Sequence, residues 1–514
     1  MLAKILILVV FFAVMIFVGI RASKKVTGVN DFVMGGRSIG PWMTAFSYGT
    51  SYFSAVVFIG YAGQFGWKFG IASTWIGLGN AFIGCMLAWV ILGRRTRIMT
   101  NHLSSSTMPD FFGKRYDSKA LKIAASAIAF IFLIPYTASV YNGLSKLFGI
   151  AFDIPYQACV IGMAVLTGVY VILGGYMATS MNDFIQGIIM LVGIVAVIAS
   201  VLSGQGGFTE AVRSLANVNP VETATQPGVF ASFFGPDPAE LLGVVVLTSL
   251  GTWGLPQMVG KFYAIKDERS IKTGTIVSTF FAIIIGGGSY FLGGFGRLFG
   301  GEGATFISTA ADGTTKVAYD GIVPFMLESS LSDLLIGVVV VLVLSASMST
   351  LSALVLTSSS TLTLDLVKDN IVKDMSQKKQ MTIMRIMVVF FIVISVVIAL
   401  DPPAFIAQLM GISWGALAGA FLAPFLYGLY WKKVTRAAVW ASFISGVGIT
   451  VSNLFLEFTS PINAGAFAMI AGLIVVPVVT LFTKNSQRDI NRTDNIFECY
   501  NVQISVKKSK QLSD

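Results

Sequence analysis

Thirteen apolar runs, each near the ~20 residues that a helix needs to cross hydrocarbon, take up most of the chain and leave few architectures open. They centre on residues 2–20, 42–64, 71–92, 121–148, 155–174, 183–203, 239–259, 272–297, 333–357, 382–400, 405–430, 437–456 and 463–482 of 514. Backbone groups inside a bilayer find no water to bond, so runs of this length must become helices. A chain that is 55% hydrophobic and only 12% charged cannot clothe two soluble domains of ordinary size. The expected class is an all-α polytopic membrane protein with 13 transmembrane helices.

The first run could be mistaken for a signal peptide, but only Lys4 precedes it, no small-residue cleavage site follows, and Arg21, Lys24 and Lys25 come next. It reads as a retained helix with its N-terminus outside. Alternating the sides from there puts 29 of the 35 Lys and Arg residues inside, in clusters at 21–37, 94–122, 261–272, 368–385 and 432–436 and in the tail from Lys484. Lys4, Lys68, Lys146, Arg213, Arg297 and Lys316 alone fall outside. An N-out, C-in arrangement therefore obeys the positive-inside rule. The net charge of +10 is thereby spent on topology, and nucleic-acid binding is not expected.

Other chemistries are poorly served. Cys85, Cys159 and Cys499 have no paired spacing, and His102 is the single histidine, so neither a disulfide framework nor a thiolate or histidine metal centre is indicated. No GxxxxGK loop occurs, which argues against direct ATP drive. Loops at about 204–238 and 298–332 read as outer caps, and the polar stretch 483–514 reads as a cytoplasmic tail too short for an output domain. No paired acids, or nucleophile with a base, stand in the spans, so an enzyme is not expected.

Polar residues interrupt several runs. Thr44, Ser47, Tyr48, Gly49, Thr50, Ser51, Tyr52 and Ser54 weaken the second, either as a local unwinding around a polar site or as small residues that let helices pack closely. In the ninth, Ser345, Ser347, Ser349, Thr350 and Ser352 follow one another, and Ser349 and Thr350 share a helical face with the Ala346 carbonyl. Neutral oxygens of this kind suit a hard monovalent cation, although buried Ser and Thr also bond back to the preceding turn. Asp183 stands at the edge of the sixth run and reads either as a functional intramembrane acid or as a helix cap. Pro135-Tyr136 and Trp253-Gly254-Leu255-Pro256-Gln257 place aromatic rings beside helix breakers, as a solute cavity or ordinary packing would.

Together these segments resemble the sodium:solute symporter family. The matching stretches are Asn30-Asp31-Phe32 with Gly35 to Pro41, Ser51 to Ala55 with Phe58-Ile59-Gly60, and Pro109-Asp110-Phe111-Phe112 with Arg115-Tyr116. Gly174-Gly175-Tyr176 with Asp183 and Gln186 follows, then Trp253-Gly254 with Pro256-Gln257 and Phe262, then Ser345-Ala346 with Met348 to Ser352. The likeness runs over roughly residues 1–480. It implies a leucine-transporter-like fold of two inverted five-helix repeats, about 41–203 and 239–430, within a symporter domain 1–482. It implies a co-transported sodium ion held by the carbonyls of Thr50, Phe53 and Ala346 and the hydroxyls of Ser349 and Thr350.

A second ion in some members would use Asp183, Ser349 and Ser352, but the next matching position is Ala353, so one sodium is expected, with Asp183 in a supporting or transit role. Tyr136 matches a substrate-lining tyrosine of the proline carriers. The acid and tryptophan that those carriers place on the broken helix are Tyr52 and Val56 here, and the polar set of the sugar carriers is replaced by Val56 and Val57. A moderately apolar cavity lined by Tyr52, Gln64, Tyr136, Trp253 and Gln257 is expected. The reading is thus a cell-membrane carrier that couples sodium entry to uptake of a small organic solute, with the bilayer as its surroundings and no obligate protein partner. A proton-coupled carrier of the same fold and a non-transporting solute sensor are the alternatives.

Overall fold

The computed structural model describes residues 2–24, 28–218, 227–301, 303–309, 315–369, 371–372, 375–402 and 405–501. Parts of the two predicted outer loops, Lys25 and Lys373 of the basic clusters, and the tail beyond 501 lie outside the described residues. Among the described residues, nine helices are long and apolar enough to cross a membrane, or ten if the bent pair Pro238–Gly254 and Pro256–Ala264 forms one span. Many start as sequence rules require. Ser118, Thr435 and Ser460 side chains each accept an N–H three residues on, and Asp237 and Ser460 precede a proline whose missing N–H costs nothing in a first turn.

Several helices are interrupted, and each break has a local cause. Helix Pro41–Tyr52 ends at Phe53, whose φ of −105° and ψ of 98° leave the helical region. Helical structure resumes at Ala55, where the Ser54 hydroxyl accepts the Val56 N–H at 3.2 Å. The unwinding expected in the second run is present. The stretch Val56–His102 leaves helical geometry at Gly70, whose φ of 60° only glycine adopts easily; a Cβ there would also stand 2.1 Å from the Phe230 carbonyl oxygen. Tyr156–Gly204 breaks at Gly175, with φ 53° and ψ −163°. Leu255 leaves helical geometry before Pro256, and the two halves bend by 47°. The ninth run, by contrast, is one continuous helix, Asp333–Ser360, through its whole row of hydroxyls.

The Gly175 break moves Asp183. The sixth run was expected to begin at 183, but helix resumes directly after Gly175, so the acid lies two turns inside and is 1% exposed. A capping role is excluded by that position. Lys261, counted above among cytoplasmic loop charges, likewise sits within helix Pro256–Ala264 at 2% exposure.

Helix Asp333–Ser360 packs on Tyr156–Gly204, on Lys119–Phe152 and on the end of Pro41–Tyr52. Helix Ile406–Tyr430 packs on Lys119–Phe152 and Pro238–Gly254 and on Arg436–Leu456 and Pro461–Phe482. Those last three helices meet at glycines: a Cβ on Gly446 would stand 2.2 Å from the Gly419 carbonyl carbon, and one on Gly472 2.9 Å from its oxygen. Leu2–Ser23 turns Phe11 and Met15 inward and Leu6, Val9 and Phe17 outward, and the Asn182 amide donates to the Met15 carbonyl. Residues 483–501 of the predicted tail are not loose. Helix Gln487–Phe497 docks through Arg492 on the carbonyls of Lys114 and Arg115, and through ion pairs Lys432–Asp494 and Arg436–Asp489.

Close crossings predict a sharp contrast between two glycines. A Cβ on Gly66 would lie 2.0 Å from the Gly293 carbonyl oxygen, a backbone atom that cannot step aside, whereas nothing lies within 4 Å of one on Gly204. Gly66→Ala is expected to lose most monodisperse protein by fluorescence-detected size exclusion. Gly204→Ala should match the native yield, since alanine at a helix end gains up to ~1 kcal/mol of propensity.

Candidate functional site

The break at Phe53 lies against the middle of helix Asp333–Ser360, and hydroxyls and carbonyls join the two. The Thr350 hydroxyl lies 3.1 Å from the Ala346 carbonyl oxygen on its own helix, 3.2 Å from that of Ser51 and 3.4 Å from that of Thr50. Ser349 donates to Thr50 Oγ1 at 2.8 Å, and its oxygen is 3.3 Å from Ser51 Oγ. Thr50 in turn donates to the Phe46 carbonyl at 2.9 Å, and the Ala55 N–H donates to Ser347 Oγ at 3.2 Å. Thr50, Ala346, Ser349 and Thr350 of the predicted ion set are thus brought together, with Ser51 added. Phe53 occupies the break, its ring stacked on Tyr52 with centroids 4.4 Å apart. Ser352 is not part of this knot. Its hydroxyl donates back to the Met348 carbonyl at 2.7 Å.

All of these oxygens are buried and neutral, and a hydroxyl can aim either its proton or its lone pairs at a neighbour. Such a cluster can hold one small hard cation without burying a compensating carboxylate. One turn before Thr50, a different group forms. Ser47 donates to Asp183 Oδ2, and the Lys261 ammonium donates to Ser47 Oγ at 2.7 Å. The ammonium is 3.9 Å from Asp183 Oδ2 and 5.2 Å from the centroid of the Tyr176 ring. Helices 41–52, 176–204 and 256–264 are tied together here by one buried acid, one hydroxyl and one buried base.

The predicted solute set divides. Tyr52 and Tyr136 converge on Trp414, with ring centroids at 6.0 Å and 5.8 Å, and the Tyr52 hydroxyl donates to the Thr248 carbonyl at 2.6 Å. Gln64 lies on the resumed helix, one turn after Tyr61. Among the described residues, the indole nitrogen of Trp414, the Tyr61 and Tyr290 hydroxyls, Gln64 Oε1 and Asn80 Nδ2 are buried without a hydrogen-bond partner, an arrangement that leaves polar atoms for a small guest to satisfy. Trp253 is turned away, its indole N–H given to the Ile83 carbonyl at 3.0 Å. Gln257 lines a separate cavity of about 50 Å³ with Lys261, Tyr176, Thr357 and Ser360.

Arg37 closes the same end of the molecule. It donates to the carbonyls of Thr100, Ser105 and Tyr263 and to the Thr100 hydroxyl, and Ile39 pairs with Ile265 as a parallel bridge. Burial, and then the neighbouring Arg97, lower its guanidinium to about 10. Sequence reasoning missed Ser47, Ser51, Lys261 and Trp414. The serines carried a signal, since both stand in the hydroxyl-rich stretch already singled out.

Comparison with known proteins gives the family and the fold. Residues 32–446 match the sodium:solute symporter family. The chain is 28% identical over 498 residues to the osmoregulated proline transporter OpuE of Bacillus subtilis, covering 95% of this chain and 96% of that protein. It is 29% identical over 500 residues to the sodium/proline symporter of Staphylococcus aureus, covering 92% and 90%. Among solved structures, a Na+-coupled sialic acid symporter in a substrate-bound outward-open state superposes with a TM-score of 0.73 at 15% identity, over 94% of this chain and 99% of that one. MhsT in complex with L-phenylalanine gives 0.53 at 14%, over 85% and 97%. At those identities the likeness establishes the fold, that of the leucine-transporter-like carriers.

Proposed function

Because the chain belongs to the sodium:solute symporter family and is a multi-pass, sodium-coupled solute transporter of the plasma membrane rather than an enzyme, we propose that it carries one sodium ion inward with each solute, by alternating access across thirteen spans with the N-terminus outside and the C-terminus inside. The breaks at Gly70 and Gly175 support the count, since each divides one long helix into two. The placement of the basic residues supports the orientation. The repeats run over about 41–203 and 239–430.

The observation that carries the ion assignment is the knot joining Thr50 and Ser51 to Ala346, Ser349 and Thr350. In this reading the carbonyls of Thr50, Phe53 and Ala346 and the hydroxyls of Ser349 and Thr350 hold sodium, with hydroxyl lone pairs turned to the ion in place of the protons that now satisfy neighbours. Sodium pins the break to the long helix and so shapes the adjoining solute cavity. By linkage, the solute must tighten sodium as much as sodium tightens the solute. One charge crossing ~100 mV supplies ~2.3 kcal/mol, and a tenfold sodium gradient adds ~1.4, enough for a several-hundred-fold accumulation.

The solute cavity in this reading is the aromatic enclosure of Tyr52, Tyr136 and Trp414, completed by the unpartnered polar atoms of Tyr61, Gln64, Asn80 and Tyr290. It suits a compact, partly apolar amino acid or carboxylate. Proline, named for the relatives, is the first to test. Proteoliposomes should accumulate the solute with sodium outside and not with choline, and reversal potentials should give one charge per neutral solute. A ratio near two would overturn the single-ion reading, and equal uptake in choline would overturn sodium coupling at this site.

A further inference from the structure

Asp183 is 1% exposed inside a helix, so it can stay ionised there only if positive charge accompanies it. One of its oxygens, Oδ2, accepts from Ser47 and faces the Lys261 ammonium at 3.9 Å; the other, Oδ1, has no hydrogen-bond partner among the described residues. Ser47 lies one helical turn before Thr50, so this group adjoins the proposed ion site directly. An acid with hydroxyls around it, buried in a sodium carrier, would ordinarily be a place for a mobile cation. Here a cation is already attached to the chain.

We propose that Lys261 is a tethered counter-ion that fills the cation position beside Asp183, and that it thereby sets the number of transported sodium ions at one. Three features support the assignment. The lysine stem enters from helix Pro256–Ala264, the second half of a bent span, and its ammonium is held by Ser47 at 2.7 Å and by the face of Tyr176 at 5.2 Å. A bare sodium ion and an ammonium group cannot both crowd one carboxylate in a low-dielectric interior, since like charges at such range repel strongly. Ala353, which lines the cavity beside Lys261, offers no side-chain oxygen toward that space. The ammonium moves with its helix and cannot be released, so it neutralises Asp183 in every state without contributing a carried charge.

The proposal rests on the one-sodium reading above, and the test separates the two. Charge moved per solute, from reversal potentials, and sodium bound per purified carrier, from equilibrium binding of radioactive sodium, are measured for three proteins. The native carrier should give one by both measures. Lys261→Met leaves Asp183 without its cation and should give two, with the Hill coefficient for sodium rising from about one toward two. Lys261→Met with Asp183→Asn should return to one. If Lys261→Met does not fold, Lys261→Gln, neutral and able to bond Ser47, takes its place with the same expectation. A native value of one with the neutral variants also at one overturns the role of Lys261 and leaves the single-ion reading standing. A native value of two overturns both.

Discussion

Ser349→Ala combined with Thr350→Ala is expected to abolish sodium-stimulated uptake while leaving the carrier folded. Both hydroxyls face the break at Phe53, and together they are two of the five proposed ligands. A hydrogen bond to a charged group is worth ~1.5–3 kcal/mol, so losing two comparable oxygen contacts weakens sodium by about 100-fold or more. Alanine keeps the helix, since the substituted positions lie mid-helix where its propensity is highest. Sodium titrations of uptake in proteoliposomes check this, with monodispersity as the control. Unchanged half-saturation by sodium in the double variant would remove these residues from the site. A parallel fall in solute affinity is required as well, because the linkage between ion and solute is reciprocal.

Asp183→Ala should be among the most damaging single changes to stability. It leaves the Lys261 ammonium buried opposite a methyl group, and removing one partner of a buried pair costs ~3–5 kcal/mol. The expected result in detergent is a drop in apparent melting temperature large enough to reduce yield. Adding Lys261→Met to Asp183→Ala should recover most of the loss, because the uncompensated charge goes with it. Two single variants as stable as the native carrier would show that the pair is not desolvated as the structure has it.

These predictions differ in how much of their basis was legible in the sequence. The hydroxyl rows at Thr44–Ser54 and Ser345–Ser352 stood out because each is a polar anomaly in an apolar run, and such anomalies are expensive in a membrane unless they are used. The fold repaid that logic at Phe53. The continuous ninth helix and the position of Asp183 were harder to foresee. Gly174-Gly175 reads as the end of a run, yet a single residue at positive φ lets the chain turn and resume at once. Lys261 was hidden by its company: with Lys266, Arg269 and Lys272 following it, the sequence describes a wetted loop, and only Asp183, 78 positions earlier, reveals where the first of the four goes. Trp414 was hidden for the opposite reason, since one tryptophan in an apolar run resembles packing until Tyr52 and Tyr136 are seen on either side.

Gly446 and Gly472 each bring their backbone against that of Gly419, with nothing bulkier than Ala468, Ala423 and Ser442 beside them, while Phe455 and Phe482 on the last two helices are 82% and 86% exposed. Variation across descendants of this chain is thereby partitioned. The outer skin can exchange one greasy residue for another without limit of volume, but along the inner seam the tolerance ends at a hydrogen atom, so that buttress should stay rigid while everything around it drifts.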